Sequence, residues 1–87
     1  MISLRNCTVL VKNKAEYIAV SKIAKKQGFC WASGDSLDII NCTFPTKLEF
    51  DIFLKTRYGP LYHKLSRDYT CAELIGGLRK LILARRS

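Results

Sequence analysis

Hydrophobic and polar positions alternate at every second residue in several segments of the chain, and this period predicts β-strands. Residues 4–12 alternate around Cys7, Val9 and Val11 and contain apolar residues on both faces, which is typical of a central strand. Residues 29–33 and 37–44 are two further predicted strands. A turn at residues 33–36 would join them as a hairpin, and Pro45 would end the second.

Apolar positions spaced three and four residues apart predict two helices. The first begins after Asn13, an N-cap residue with Glu16 three positions later, and ends before Gly28. The second begins at a capping box formed by residues 70–73 and is the clearest element in the sequence. The apolar stripe of the first helix consists of Tyr17, Val20, Ile23, Ala24 and Gln27, and that of the second of Cys71, Leu74, Ile75, Leu78, Leu81 and Ile82.

Residues 46–58 are compatible with either a strand or a helix. Alternation around Leu48 and Phe50 favours a strand, whereas a capping box at residues 46–49 favours a helix that Gly59-Pro60 would end. We adopt the strand and place a final short strand at 61–65. The sequence therefore predicts a single small α+β domain over residues 1–87. Its mainly antiparallel sheet would have four to five strands, with two helices in the order β-α-β-β-β-β-α.

Tryptophan occurs once, at Trp31, between the helix end at Gly28 and the turn that contains Gly34. Phe29 and Trp31 would point to the same face of a strand. We interpret Trp31 as a core anchor rather than a platform for a base, since tryptophan is largely buried on average.

The four cysteines are far apart and form no CxxC pair, so we predict buried free thiols and neither a metal site nor a disulfide. No sequence feature indicates a cofactor. The chain has no signal-peptide pattern and no apolar run of about 20 residues, so we expect no membrane partner and a cytoplasmic location.

The formal net charge of +8, from 15 Lys and Arg against 7 Asp and Glu, predicts attraction to polyanions. Residues 1–34 carry +5, residues 35–51 carry −3 and residues 52–87 carry +6. Nucleic acid, an anionic membrane surface and an acidic protein are the partners that this charge admits. A domain of 87 residues has a modest core, so homodimerisation stays open as a further source of stability.

Cations and aromatic rings are interleaved in one segment, a combination typical of surfaces that bind phosphates and stack unpaired bases. We predict RNA binding there, although its tyrosines could instead belong to the core. The predicted nucleic-acid-binding residues are Lys55, Arg57, Tyr58, Tyr62, His63, Lys64 and Arg67. Secondary basic patches are Lys22, Lys25 and Lys26 on the first helix and Arg79, Lys80, Arg85 and Arg86 on the last.

Catalytic motifs such as GxSxG, the P-loop, HExxH and GxGxxG are missing from the sequence, and there is a single histidine. We therefore expect no enzymatic activity. The alternative left open is metal-free ribonuclease chemistry, in which Arg, Lys, Tyr and His jointly position RNA and transfer protons. Tyr62, His63, Lys64, Arg57 and Arg67 contain all four residue types, without an ordered signature.

The segment Gly28 to Gly34 resembles the Gly-aromatic-x-Trp-x-Ser-Gly segment of many small accessory proteins encoded by tailed bacteriophages. Together with size and basic charge, it is similar to the small RNA-binding toxin inhibitors of T-even-type phages. That resemblance implies a phage-encoded protein in the cytoplasm of the infected host. Such a protein would bind RNA and inhibit a host defence factor, for instance an endoribonuclease toxin. A protein-directed inhibitor without nucleic-acid binding is the alternative.

Overall fold

The computed structural model describes residues 3–77, in which five strands and two helices follow the predicted order and confirm the α+β class. The bounds are β1 Cys7–Val11, α1 Lys14–Lys26, β2 Cys30–Trp31, β3 Thr46–Phe50, β4 Lys55–Gly59 and β5 Arg67–Thr70, and residues 71–77 are helical and form the described part of α2.

The strands form one mixed sheet in the order β2-β4-β3-β1-β5. β3 is antiparallel to both of its neighbours, whereas each edge strand is parallel to the strand beside it. α1 carries the chain from one end of β1 back to the other, so β2 runs in the same direction as β1. The β3–β4 pair then fills the space between them. The sheet is thus more parallel than the predicted hairpins implied.

The main core lies between α1 and one face of the sheet. Cys7, Val9 and Val11 of β1 are fully buried there, and Leu48 and Phe50 pair with two of them in the β1–β3 register. The remaining buried apolar residues are Leu4, Tyr17, Val20, Ala24, Phe29, Trp31, Leu37, Cys71 and Leu74. Trp31 is only 4% exposed, which confirms its interpretation as a core anchor.

The ends of α1 follow the predicted capping signals. Asn13 Oδ1 accepts a hydrogen bond from Glu16 N at 2.9 Å, while Glu16 Oε1 accepts from Lys12 N at 2.8 Å. At the other end, Gly28 N donates to Lys25 O and Phe29 N donates to Ala24 O, both at 3.0 Å. This is a Schellman motif, and Gly28 has the positive φ of +93° that the motif requires.

The predicted strand at 37–44 and the hairpin leading into it are wrong. Gly34 N does donate to Trp31 O in a turn, but the chain then runs beside α1 without joining the sheet. Side chains from the core bind its carbonyls: the Tyr17 hydroxyl donates to Leu37 O at 2.7 Å, and Trp31 Nε1 donates to Ile39 O at 2.7 Å. Leu37 is buried, so its apolar character reflects an anchored loop.

Residues 46–58, predicted as one strand, form strands β3 and β4 with a tight turn at 51–54. Strand was therefore the right choice over helix, but the single continuous strand was wrong. Asp51 supplies the turn: its Oδ1 accepts from Phe53 N at 2.8 Å and from Lys55 N at 2.9 Å. Leu54 adopts a positive φ of +65°, where glycine is usual, so the sequence lacks the usual glycine signal for this turn.

The predicted final strand at 61–65 is also wrong, because these residues belong to a loop and the edge strand is β5. β5 contains Arg67 and Asp68, which do not fit an apolar alternation. Pairing with β1 stabilises it, together with a hydrogen bond of 2.6 Å from Thr8 Oγ1 to Asp68 Oδ1. These contacts join residues about 60 positions apart, so a local pattern does not contain them.

All four cysteines are free thiols. Cys7 and Cys71 are buried, and Cys30 and Cys42 are half-buried. Burial raises the pKa of Cys7 to about 11, so its thiol is neutral at pH 7. Cys7 therefore acts as a small core residue.

Candidate nucleic-acid interface

Strand β4 presents the centre of the predicted surface and divides its residues between the two faces of the sheet. Lys55 and Arg57 share a face with Cys30 and Glu49, on the side opposite α1. Tyr58 lies on the other face, in register with Leu48. The alternation of side chains along a strand makes this division unavoidable. Arg57 and Tyr58 are both exposed, and both lie at the sheet edge where β2 ends.

Carboxylates lie close to the basic side chains on the face opposite α1. Arg57 Nη1 lies 3.5 Å from Asp51 Oδ2, and His63 Nδ1 lies 2.9 Å from Glu49 Oε2. The Arg57 side chain remains 65% exposed, so most of its guanidinium stays accessible to a ligand. These acidic partners were not predicted from the sequence, although strand periodicity places Glu49 on this face.

Lys47 and Asp68 form a more buried ion pair on the same face, and the Lys47 side chain is only 7% exposed. Burial alone would raise the pKa of Asp68. The hydrogen bonds from Lys47 and Thr8, together with the Lys47 charge, nevertheless hold this pKa below its ordinary value. Lys47 therefore stabilises the sheet and is poorly placed to bind a polyanion.

The loop 60–66 connects β4 to β5 across the face opposite α1 and carries three predicted binding residues. Tyr62 is 84% exposed, and Lys64 and His63 are also exposed. The loop is tied to the sheet by the His63–Glu49 contact and by a hydrogen bond of 3.5 Å from Leu65 N to Thr8 Oγ1. Lys55, Arg57 and the residues of this loop therefore share one side of the molecule.

Arg67 lies apart from this group. β5 and β4 are separated by two strands, and the β1–β5 register places Arg67 on the α1 side beside Cys7. Its Nη2 donates to Arg5 O at 2.5 Å.

The lysines of α1 lie on the opposite side of the molecule from Lys55 and Arg57. Lys22, Lys25 and Lys26 are all exposed, and Lys25 pairs with Asp38. Hydrogen bonds from Lys25 and Ser36 lower the pKa of Asp38. The patch formed by Arg79, Lys80, Arg85 and Arg86 lies outside the described residues.

A groove opens at the β4 edge just beyond the end of β2, with a volume of about 450 Å³. Trp31, Thr56, Arg57 and Tyr58 line it together with residues of the loop after β2. Arg57 and Tyr58 were predicted from the sequence as binding residues, whereas Thr56, Ser33 and Asn41 were not. Their place in the groove depends on where β2 ends, and no sequence signal for that end was recognised.

Comparisons of this chain with protein-family models, curated proteins and solved structures found no match. Over residues 3–77, no helix combines the length and apolar character that spanning a membrane would require. The same residues contain no group of three or more His, Cys, Asp or Glu arranged to hold a metal ion. Fold and surface together define a small, basic α+β domain with an exposed cation and aromatic ring at one sheet edge.

Proposed function

We propose that this protein binds RNA through β4 and the loop 60–66, and that it inhibits a host defence factor such as an endoribonuclease toxin. One observation carries the RNA-binding part: Arg57 and Tyr58 are adjacent, exposed and line the same groove. A guanidinium binds phosphate and an exposed ring stacks on a base, so the pair offers the two contacts that an RNA strand needs.

Further cations extend this surface away from the groove. Lys55 lies two residues before Arg57 on the same face, about 7 Å along the strand. Lys64 and the exposed ring of Tyr62 lie in the loop 60–66 on that side. A flexible single strand could contact several of these groups at once, and the net charge of +8 would attract it over a longer range.

The anti-defence part of the proposal is supported by the resemblance of the Gly28 to Gly34 segment to small phage proteins, and by the size and charge of the chain. In this proposal a phage encodes the protein, which acts in the cytoplasm of the infected bacterium. It binds RNA and the target protein in one complex and does not cleave either.

Fluorescence anisotropy with a labelled RNA, measured over a series of salt concentrations, tests the RNA-binding part. The double variant Lys55→Gln/Arg57→Gln removes two charges from the proposed surface. Lys22→Gln/Lys26→Gln is the matched control, because it also removes two positive charges, but from α1. We expect the first variant to bind more weakly and to have a salt slope smaller by about 0.7 per lost phosphate contact. The control should retain the wild-type slope.

Two results would contradict this assignment. If the α1 variant loses affinity and the β4 variant does not, the binding surface is the basic patch of Lys22, Lys25 and Lys26 on α1. If wild-type protein binds no RNA at low salt, RNA binding is wrong. The protein-directed inhibitor would then remain, in which the positive field steers docking onto an acidic partner.

The inhibitor part is tested by a pull-down of tagged protein from bacteria that express a candidate endoribonuclease toxin, with and without nuclease treatment. We expect the toxin to co-purify and its RNA cleavage to fall when the protein is present. Unimpaired toxin activity at a saturating amount of the protein, for each toxin tested, would contradict inhibition of that toxin class.

Ribonuclease activity is the second candidate, and the pairing of His63 with Glu49 at 2.9 Å favours it. A carboxylate orients an imidazole for proton transfer, and Arg57, Tyr62 and Lys64 lie on the same side of the molecule. Purified wild-type protein should then cleave RNA, and His63→Ala should abolish cleavage. RNA that stays intact with the wild type would remove this candidate.

A further inference from the structure

The groove at the β4 edge exists because β2 is only two residues long. On the β2 side of β4, the last backbone hydrogen bond among the described residues runs from Ala32 N to Thr56 O at 2.9 Å. Residues 57–59 of β4 then have β3 on one side and no strand on the other. The resulting opening of about 450 Å³ lies within the roughly 300–1,000 Å³ typical of small-molecule sites. Its lining combines Trp31, Ser33, Asn41, Thr56, Arg57 and Tyr58.

The Tyr58 ring is held in the groove without being buried. Its centroid lies 6.3 Å from that of Trp31, and the two ring planes are nearly perpendicular, at 87°. Trp31 is itself held by its core packing and by the hydrogen bond from Nε1 to Ile39 O. Tyr58 nevertheless remains 57% exposed. A ring held in place with an accessible surface loses little conformational freedom when a planar ligand stacks on it.

Thr56 adds an independent sign of a polar ligand. It is fully buried, it lines the groove, and its Oγ1 is the one buried side-chain oxygen or nitrogen without a hydrogen-bond partner among the described residues. Buried hydroxyl groups are nearly always hydrogen-bonded, so an unpaired one calls for an explanation. The hydroxyl is covered in this structure, so a ligand with a polar edge would supply the missing partner once the Thr56 side chain rotates toward the groove. The exposed amide of Asn41 lies in the same lining.

Arg57 supplies the charge at the same groove. Its guanidinium lies 3.5 Å from the Asp51 carboxylate, beyond the 2.7–2.9 Å of a strong charge-assisted hydrogen bond. An incoming phosphate can therefore bind the guanidinium without breaking a tight ion pair. Ring, hydroxyl, amide and guanidinium together match the parts of one nucleotide.

We propose that this groove binds a single unpaired nucleobase of RNA. The base stacks on Tyr58, its polar edge bonds to Thr56 Oγ1 and Asn41, and an adjacent phosphate contacts Arg57. This inference rests on the proposed RNA binding and specifies its substrate class. A base inside a duplex is stacked and paired and cannot enter such a groove, so the protein prefers single-stranded RNA.

The test compares three labelled probes of equal length: single-stranded RNA, a duplex of the same sequence, and an abasic strand that keeps the phosphates. We expect the single strand to bind most tightly. Tyr58→Ala should weaken its binding by roughly tenfold to a hundredfold, while Tyr58→Phe keeps the ring and most of the affinity. Neither substitution should change binding of the abasic strand. Circular dichroism of each variant checks that the fold is intact.

Thr56→Val is a second test, in which stability and RNA affinity should respond differently. The substitution keeps the shape of the side chain and removes its unpaired hydroxyl, so the free protein should be as stable as the wild type or more stable. Affinity for the single strand should nevertheless fall several-fold. Since Trp31 is the only tryptophan and lines the groove, its fluorescence should change on binding of the single strand and not of the abasic strand.

The outcomes separate this inference from the proposed function. If the Lys55→Gln/Arg57→Gln variant loses affinity but folded Tyr58→Ala binds the single strand like the wild type, RNA binding stands and the nucleobase groove is wrong. Equal affinity for the single strand and the abasic strand would also overturn the groove. If the wild type binds none of the three probes, the proposed RNA binding itself is wrong.

Discussion

Single residues in unusual backbone conformations determine how this small chain turns. Gly28 and Gly34 have φ angles of +93° and +96°, in the region that L side chains rarely adopt. At Gly28 an added Cβ would also lie 3.4 Å from Leu54 Cδ1, whereas at Gly34 it would meet no described atom within 4 Å. The two glycines therefore share a backbone requirement and differ in their packing.

We expect Gly28→Ala to lower the free energy of unfolding by about 1–2 kcal/mol, because alanine would be forced into the left-handed region at the end of α1. Gly34→Ala is the matched control for the backbone effect alone and should lower stability by a similar or smaller amount. Urea denaturation of both variants measures the difference. A Gly28→Ala variant as stable as the wild type would contradict the positive φ.

Two single carboxylates, those of Asp68 and Asp38, pair with lysines and predict how stability depends on pH. The pKa values of Asp68 and Asp38 are both lowered in the folded protein. A carboxylate with a lowered pKa stabilises the fold above its unfolded pKa, near 4, and this contribution disappears as pH falls through the folded value. The partner of Asp68 is the buried Lys47, whereas the Asp38 side chain is 69% exposed.

Asp68→Asn should therefore destabilise the protein by about 1–3 kcal/mol at pH 7, since a charged hydrogen-bonded group is lost beside a buried lysine. The difference from the wild type should shrink below about pH 4. Asp38→Asn, the exposed counterpart, should change stability little. Thermal denaturation from pH 2 to pH 8 checks both. A constant difference across that range would show that the Asp68 charge does not contribute.

At the scale of elements, local signals predicted both ends of α1 and the start of α2 well. The Asn13 cap and the Gly28 terminus of α1 form as expected. The capping box of α2 also forms, with Glu73 N donating to Thr70 Oγ1 at 3.1 Å and Thr70 N donating to Glu73 Oε1 at 3.0 Å. These interactions connect residues three to five positions apart, so the sequence contains all the partners.

Asn13→Ala should lower the free energy of unfolding by about 1 kcal/mol, because it removes the acceptor for Glu16 N at the start of α1. Asn13→Asp keeps an acceptor and adds a negative charge near the positive end of the helix dipole, so it should retain wild-type stability. Chemical denaturation followed by circular dichroism measures both. Equal losses in the two variants would contradict a capping role.

Strand positions were predicted less well than helix ends. Residues 37–44 have the apolar content of a strand, but Tyr17 and Trp31 anchor the carbonyls of Leu37 and Ile39 outside the sheet. The chain forms β5 at Arg67–Thr70 instead, where a parallel partner in β1 compensates for the charged residues. A strand needs a neighbour distant in sequence, and alternation alone does not name that neighbour.

At the scale of the whole molecule, residues from both helices and the sheet share one core, since Cys71 and Leu74 of α2 are buried together with residues of α1 and β1. We expect unfolding monitored by Trp31 fluorescence and by the circular dichroism of the helices to coincide in one transition. Two separated transitions would show that α2 unfolds independently of the sheet.

The predicted RNA surface was only partly brought together by the fold. Lys55, Arg57, Tyr62, His63 and Lys64 share one side of the molecule. Tyr58 reaches the groove from the other face of β4, and Arg67 is placed elsewhere by its pairing with β1. All of these residues lie within thirteen positions of the sequence, which is why they were predicted to form one surface.

Local signals in the sequence were sufficient to predict the α+β class, both caps of α1, the capping box at the start of α2, the central strand β1 and the buried role of Trp31. Each follows from interactions between near neighbours or from an apolar period that one burial face imposes. The fold was needed to reveal the strand pairing, the acidic partners of the basic side chains and the groove at the end of β2. These features depend on which distant backbone segments lie side by side. Hydrogen bonds and ion pairs act over a few ångströms of space, whatever the separation of their partners along the chain, so a local sequence pattern does not contain them.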